Sequence, residues 1–132
     1  ADGGLDLVVS NLNDGTNYTQ QKKIGRSLHK IPNSDLISYI SKENDLWEIK
    51  SLHPITGATQ TIIQTIPEAE DMCWLINGTI LMPKGNVIYA FNPKTDSTWR
   101  VLTIFKDPNV YNITRIATNT TSTLLALVSD TK

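Results

Sequence analysis

A chain of 132 residues is long enough for one domain with a buried core. Its 12 Lys and Arg balance 13 Asp and Glu to a net charge of −1, so it offers neither the basic field that nucleic acid requires nor a polybasic run for an anionic membrane. No apolar stretch approaches the ~20 residues of a membrane-spanning helix, and the single cysteine, Cys73, excludes an internal disulfide.

The chain opens "ADGGLDLVV", directly beside a strand, as the interior of a longer protein does, and shows no charged segment followed by the apolar core of a signal peptide. Strand signals then follow in close succession: LVVSNL (7–12), YTQQKKI (18–24), RSLHK (26–30), LISYI (36–40), LWEIKSL (46–52) and TQTIIQTI (59–66). EDMCW (70–74), TILMP (79–83), VIYAF (87–91), WRVLTIF (99–105), TRIAT (114–118) and LLALV (124–128) complete the series. Most are rich in β-branched or aromatic residues, and Gly, Pro, Asn, Asp or Thr stand between them. Helical periodicity is almost absent, so the expected class is all-β with antiparallel sheets.

The segments repeat. "RSLHKIPNSDLISY", "EDMCWLINGTILMP" and "TRIATNTTSTLLAL" start at Arg26, Glu70 and Thr114, two steps of 44 residues. This register aligns Leu28, Met72 and Ile116 as equivalent buried positions, and Ile37, Leu81 and Leu125 likewise. The turns Asn33-Ser34, Asn77-Gly78 and Thr121-Ser122 fall between the paired strands, and Leu12 and Leu52 align in a second hairpin at an offset of 40. Periods of about 40–45 residues holding four strands predict β-propeller blades. The expected organisation is a half blade over 1–25, full blades over 26–66 and 67–112, and a half blade over 113–132: three four-stranded blades, half of a six-bladed ring.

On "IGRSLHKIPNSDLISYI", "EDMCWLINGTILM", "ITRIATNTTSTLLALV" and the turn "SLHPITGATQTI", the chain resembles the C-terminal half of TolB-like, WD40-like β-propeller proteins of the Bacteroidetes type. Trp74 takes the family's Trp place, Pro32 its Pro, Asn77-Gly78 its Asp-Gly and Thr56-Gly57 its Thr-Gly, whereas "TNTTS" lacks the Pro-Asp-Gly altogether. The resemblance implies a periplasmic or secreted, non-enzymatic module that binds or assembles proteins or peptides. The alternatives are part of a propeller hydrolase or lyase, or a carbohydrate-binding propeller. Three blades leave open edges, so the partners expected are a peptide or protein ligand and either a second copy or the N-terminal half of the same propeller. Nucleic acid, membrane insertion and cofactors are not expected.

In a propeller the first residues of the innermost strands rim the central channel. That places Arg26, Ser27, Glu70, Asp71 and Arg115 at the rim as binding candidates, with Thr114 beside them; charges that pair between blades would explain the same residues structurally. Lys22-Lys23 reads as a solvated strand face. His29 aligns with Cys73 and Ala117 and reads as packed between blades, His53 as a solvated turn residue, and Cys73 as a buried thiol. Two histidines 24 residues apart and one cysteine give no metal-ligand spacing, and Glu68, Glu70 and Asp71 read as a solvated loop. Trp47, Trp74 and Trp99 lie on strands and suit inter-blade packing. Four Asn-x-Thr triplets at Asn17, Asn77, Asn112 and Asn119 match the glycosylation pattern, as expected by chance in so Asn- and Thr-rich a chain. No phosphate loop, nucleophile elbow or helix-borne His pair occurs.

Overall fold

The alternation of apolar and polar residues drives eleven strands in the computed structural model, which describes residues 4–130. They are β1 (Leu5–Ser10), β2 (Asn17–Lys30), β3 (Ile37–Ser41), β4 (Glu48–Leu52), β5 (Thr59–Gln64), β6 (Cys73–Trp74), β7 (Ile80–Lys84), β8 (Val87–Phe91), β9 (Arg100–Ile104), β10 (Ile113–Thr118) and β11 (Leu125–Ser129). The twelve expected segments are all present, because 18–24 and 26–30 run together as the 14-residue β2. The first half of β2 pairs with β1 and its end with β3. All pairing is antiparallel, in sheets ordered β1-β2-β3-β4-β5, β6-β7-β8-β9 and β10-β11. The all-β expectation holds. The half-ring does not: the sheets are small and unequal, and they form no closed propeller among the described residues. The outermost bounds expected for the units, 1 and 132, lie outside the described residues.

The repeat is written in the backbone more strictly than in the side chains. The first hairpin of each unit closes with Ile31 N–H to Leu36 C=O, Leu75 N–H to Thr79 C=O and Asn119 N–H to Leu124 C=O. The donors stand 44 residues apart, but the acceptors are offset by 43 and then 45, because the Asn77-Gly78 turn is one residue shorter. Gly78, at φ +90°, reaches the left-handed region without cost and lets the chain turn sooner. The residue matching Ile37 is therefore Ile80, not Leu81: Ile37 sits opposite Leu52 and Ile80 opposite Phe91.

The second hairpins share another device. Gly15 N–H bonds to Asn11 C=O and Gly57 N–H to His53 C=O, each at 2.8 Å. The side chain opening each turn accepts the N–H two residues on: Asn13 to Asn11 Oδ1, Ile55 to His53 Nδ1 and Lys94 to Asn92 Oδ1. Bulges fall at matching places too, between Leu7 and Val8, Ile49 and Lys50, and Ile88 and Tyr89. The spacing of these hairpins is thus 42 and 39 residues, not 40. Leu12 lies in a turn, 95% exposed, while Leu52 is fully buried in β4.

Consecutive sheets pack face to face. Ile40 and Ile49 meet Met72, Ile80, Met82 and Phe91 between the first and second sheets. Cys73, Leu81, Ile88 and Ala90 meet Ile113 and Ile116 between the second and third. The β1–β2 arm closes Leu7 and Ile24 over Tyr39 and Leu52. Met72 (0%) and Ile116 (6%) are buried as expected, but Leu28 is 51% exposed. Met72 and Ile116 pack against the preceding sheet; Leu28 belongs to the first sheet, and no other sheet covers it among the described residues. Ser27 instead donates to Met72 C=O.

The corrected register makes Leu52 a core residue and Leu12 a solvated one. Leu52→Ala is expected to cost about 2–5 kcal/mol, and Leu12→Ala to stay within about 0.5 kcal/mol, by urea denaturation. His53→Asn restores the acceptor found at Asn11 and Asn92 and is expected to leave stability unchanged, whereas His53→Ala is expected to lose about 1 kcal/mol; equal losses for both would show that the turn acceptor contributes nothing.

Candidate functional site

Charged residues gather where the β2 C-terminal half, β6 and β10 begin. Arg26 is exposed in β2, Glu70 and Asp71 immediately precede β6, and Arg115 lies exposed in β10. Two cavities open along this edge. The first, about 530 Å³, brings Arg26 and Glu70 together with Lys23 and Lys42. The second, about 230 Å³, brings together Glu68, Glu70, Asp71, Lys84, Thr114 and Arg115. Glu70 is common to both. Four of the five residues singled out in the sequence thus share one edge, which is an open margin of stacked sheets and not the rim of a channel. Ser27 does not join them: it is buried, and its hydroxyl is committed to Met72 C=O at 3.4 Å.

Sequence reasoning missed the partners. Lys42, in the β3–β4 connection, bonds Glu70 at 2.6 Å, with its Nζ 4.3 Å from the centre of the Trp47 ring. Carboxylate and aromatic face together fix that ammonium. Lys84 reaches Glu68 at 3.8 Å, an exposed and weak pair. Arg26 forms no ion pair among the described residues. Lys23, expected to be merely solvated, lines the first cavity and takes a left-handed φ of +55° within β2. A basic residue in a strand-to-strand bend and one in a loop carry no spacing signal, so neither was legible.

Asp71 is half-buried, and its Oδ2 accepts the Ile116 N–H at 2.7 Å, tying the second sheet to the third. Burial lifts its carboxyl above the ordinary value of 3.8; the Ile116 N–H bond and the charges of Arg115 and His29 oppose that rise. His29, half-buried in β2, thus acts electrostatically on Asp71 across the sheets. Burial, with the neighbouring Asp71, pushes the Cys73 thiol up to about 12, so the thiolate is suppressed. The tryptophans join sheets: Trp74 Nε1 donates to Ser38 Oγ at 2.8 Å and Trp99 Nε1 to Gln64 C=O at 2.9 Å. Trp99 also lies against Phe91, with ring centres 5.7 Å apart. A third cavity, about 640 Å³, opens at the opposite, turn-bearing end of the strands between Pro32, Ile62, Trp74 and Ile76. No group of three His, Cys, Asp or Glu suited to a metal ion occurs among the described residues. Nor is any helix among them long and apolar enough to cross a membrane.

No protein-family model and no curated protein matches the chain. Among solved structures it is similar to the extracellular domain of a hybrid two component system from B. thetaiotaomicron, with a TM-score of 0.65 and 15% identity over 97% of this chain. The chain spans 18% of that protein's length, and at this identity the likeness is one of fold. The resemblance to TolB-like, WD40-like proteins is thereby overturned: the matched structure is an extracellular domain of a two component system, and the sheets of the described residues do not close into a propeller. The degenerate Trp, Pro and Asn-Gly positions that carried the resemblance have local causes, a Trp74–Ser38 bond and turn geometry, that any stacked antiparallel hairpins can share.

The raised carboxyl of Asp71 has a signed consequence. Between 3.8 and its folded value, the native chain holds a proton that the unfolded chain releases, so this group's contribution to stability falls as pH rises through that window. Asp71→Asn removes the charge and keeps an oxygen acceptor for Ile116 N–H. The variant is expected to unfold at higher urea than the parent at neutral pH, with the gap narrowing as pH drops below the ordinary carboxylate range. A gap that does not vary with pH would contradict the assignment.

Proposed function

We propose that this chain is a binding module of an exported protein, one that holds a polar peptide or protein segment along the edge formed by Arg26, Glu70, Asp71 and Arg115 and performs no covalent chemistry on it. The carrying observation is the pair of adjoining cavities that share Glu70 and present both signs of charge. A ligand with an acidic group facing Arg26 and a donor facing Glu70 would find complementary partners lining one cavity. Part of the edge is already fixed: the Lys42 contact to Glu70 and Trp47 holds the shared carboxylate in place, which lowers the entropy lost on binding. Two groups of nucleophile type near the edge are spoken for, the Cys73 thiol by burial and the Ser27 hydroxyl by its bond to Met72. An extracytoplasmic location, periplasmic or secreted, is supported by the fold shared with an extracellular domain.

Titration of the chain with a panel of short acidic peptides, followed by amide chemical shifts, tests the proposal. Shifts are expected around Arg26, Glu70 and Arg115, and the double variant Arg26→Glu, Arg115→Glu is expected to abolish them with its melting temperature nearly unchanged. A large loss of stability in that variant would mean instead that the guanidinium groups hold the sheets together. Unchanged shifts would remove both residues from the site.

A further inference from the structure

The cavity of about 640 Å³ at the turn-bearing end of the strands lies between the first sheet and the second, apart from the charged edge. A row of residues paired across three strands bounds it on the first sheet: Ser38 of β3 stands opposite Ser51 of β4, and Ser51 opposite Gln60 of β5. Ser38 and Ser51 share the face that carries Ile40 and Ile49 into the core with the second sheet. Ser38 is satisfied, since its hydroxyl accepts the Trp74 Nε1–H at 2.8 Å and donates to His29 C=O. Ser51 is not. It is 7% exposed, and its hydroxyl has no hydrogen-bond partner among the described residues. Every side-chain polar atom sealed from solvent among them does have one. The Ser51 Oγ therefore keeps some access, and the space it opens on is this cavity. A nearly buried hydroxyl without a protein partner is a place where a ligand gains a bond and the protein loses none.

The rest of the lining narrows the chemistry. Trp74 is anchored by Ser38 and packed on the first core, and its remaining surface borders the cavity beside Ile62 and Pro32 as a flat, rigid apolar wall. Lys94 is the one charged residue of the lining, and it forms no ion pair among the described residues. Asp35 and Asp96, close to it or to the other lining residues in sequence, do not line the cavity, and Asp96 is engaged by Arg100. The volume is that of a small-molecule site. We propose that this cavity binds a small aromatic monocarboxylate, with the ring against Trp74 and Ile62, the carboxylate at Lys94 and a polar ring substituent at Ser51. The ring contributes apolar and stacking contact, the ammonium selects one negative charge, and the substituent supplies the partner that Ser51 lacks. None of these residues belongs to the charged edge, so this inference and the peptide-binding proposal stand or fall separately.

Titration of the full chain with phenylacetate, para-hydroxyphenylacetate and the neutral para-hydroxyphenylethanol, followed by amide and indole N–H chemical shifts, tests it. Saturable shifts are expected at Trp74, Ser51 and Gln60, with para-hydroxyphenylacetate the tightest of the three. Lys94→Gln, at an exposed position, is expected to weaken that acid about threefold to fivefold and to abolish its preference over the alcohol. Lys106→Gln removes an equally exposed cation outside the cavity and is expected to change nothing. Ser51→Ala is expected to keep the melting temperature and to remove the advantage of para-hydroxyphenylacetate over phenylacetate. No saturation at these residues with any of the three compounds overturns the proposal. So does equal affinity for the acid and the alcohol, a preference for the acid that survives Lys94→Gln, or a para-hydroxyl advantage that survives Ser51→Ala.

Discussion

A short antiparallel meander with apolar residues on both faces cannot bury either face alone, and this constraint organises the whole molecule. Each sheet must lend one face to the sheet before it and one to the sheet after. Met72 and Cys73 show the rule at its smallest scale: adjacent at the start of β6, Met72 just before the strand and Cys73 its first residue, they lie one in the first core and the other in the second. Polar bonds then fix how the sheets sit. Ser27 to Met72 C=O, Ser38 to Trp74 Nε1, Asp71 to Ile116 N–H and Thr118 Oγ1 to Trp74 C=O all run from one sheet to its neighbour. No buried side-chain polar atom among the described residues lacks a partner, so these links cost little in desolvation. Apolar packing supplies the attraction and the polar links set the alignment.

The strand inventory was legible because strand and turn residues announce themselves locally. All twelve segments were recovered, down to the turn residues Asn33, Gly78 and Ser122 that take positive φ. Register was legible only in part. The 44-residue step holds for the donors Ile31, Leu75 and Asn119, but a turn one residue shorter at Asn77-Gly78 leaves no mark that a gapless comparison can see. The consequence is large because strands have a period of two: a slip of one exchanges Ile80, which faces the first sheet, for Leu81, which faces the third. Leu28 failed for a different reason. Its local pattern is that of a core residue, and whether a core exists behind it is a property of another sheet. Ring closure failed likewise, since counting strands says nothing about how the sheets are arranged in space.

The site divides along the same line. Arg26, Glu70, Asp71 and Arg115 line one charged edge because the repeat brings the starts of equivalent strands side by side, and Ser27 does not join it because the alternation turns every second residue inward. Lys42, Glu68 and Lys84 come from connections or a strand end, where side-chain placement depends on a left-handed residue such as Glu68 at φ +63° and not on any period. Repeat arithmetic can locate a margin of the fold, but the ion pairs that define its chemistry are made by the irregular segments between repeats.

The same two-faced constraint also explains where the molecule is soft. In the middle strands β3 and β7 four of five residues are buried, whereas in the outer strand β9 all five are exposed. Sheets twist, so strands of neighbouring sheets diverge with distance from their closest approach. Cover is best near β6 and β10, whose residues reach β7 and one another, and is lost by the fourth strand. The RVLTI sequence of β9 is apolar enough for a core, yet Val101, Leu102 and Ile104 are about half exposed because no neighbouring sheet covers them. Trp99 compensates at the base of that strand: its ring packs on Phe91 and its Nε1 bonds Gln64 at the end of β5, so one aromatic side chain ties down two outer strands that packing alone leaves loose. Stability in this fold therefore declines along each meander, and the tryptophans stand where that decline has to be checked.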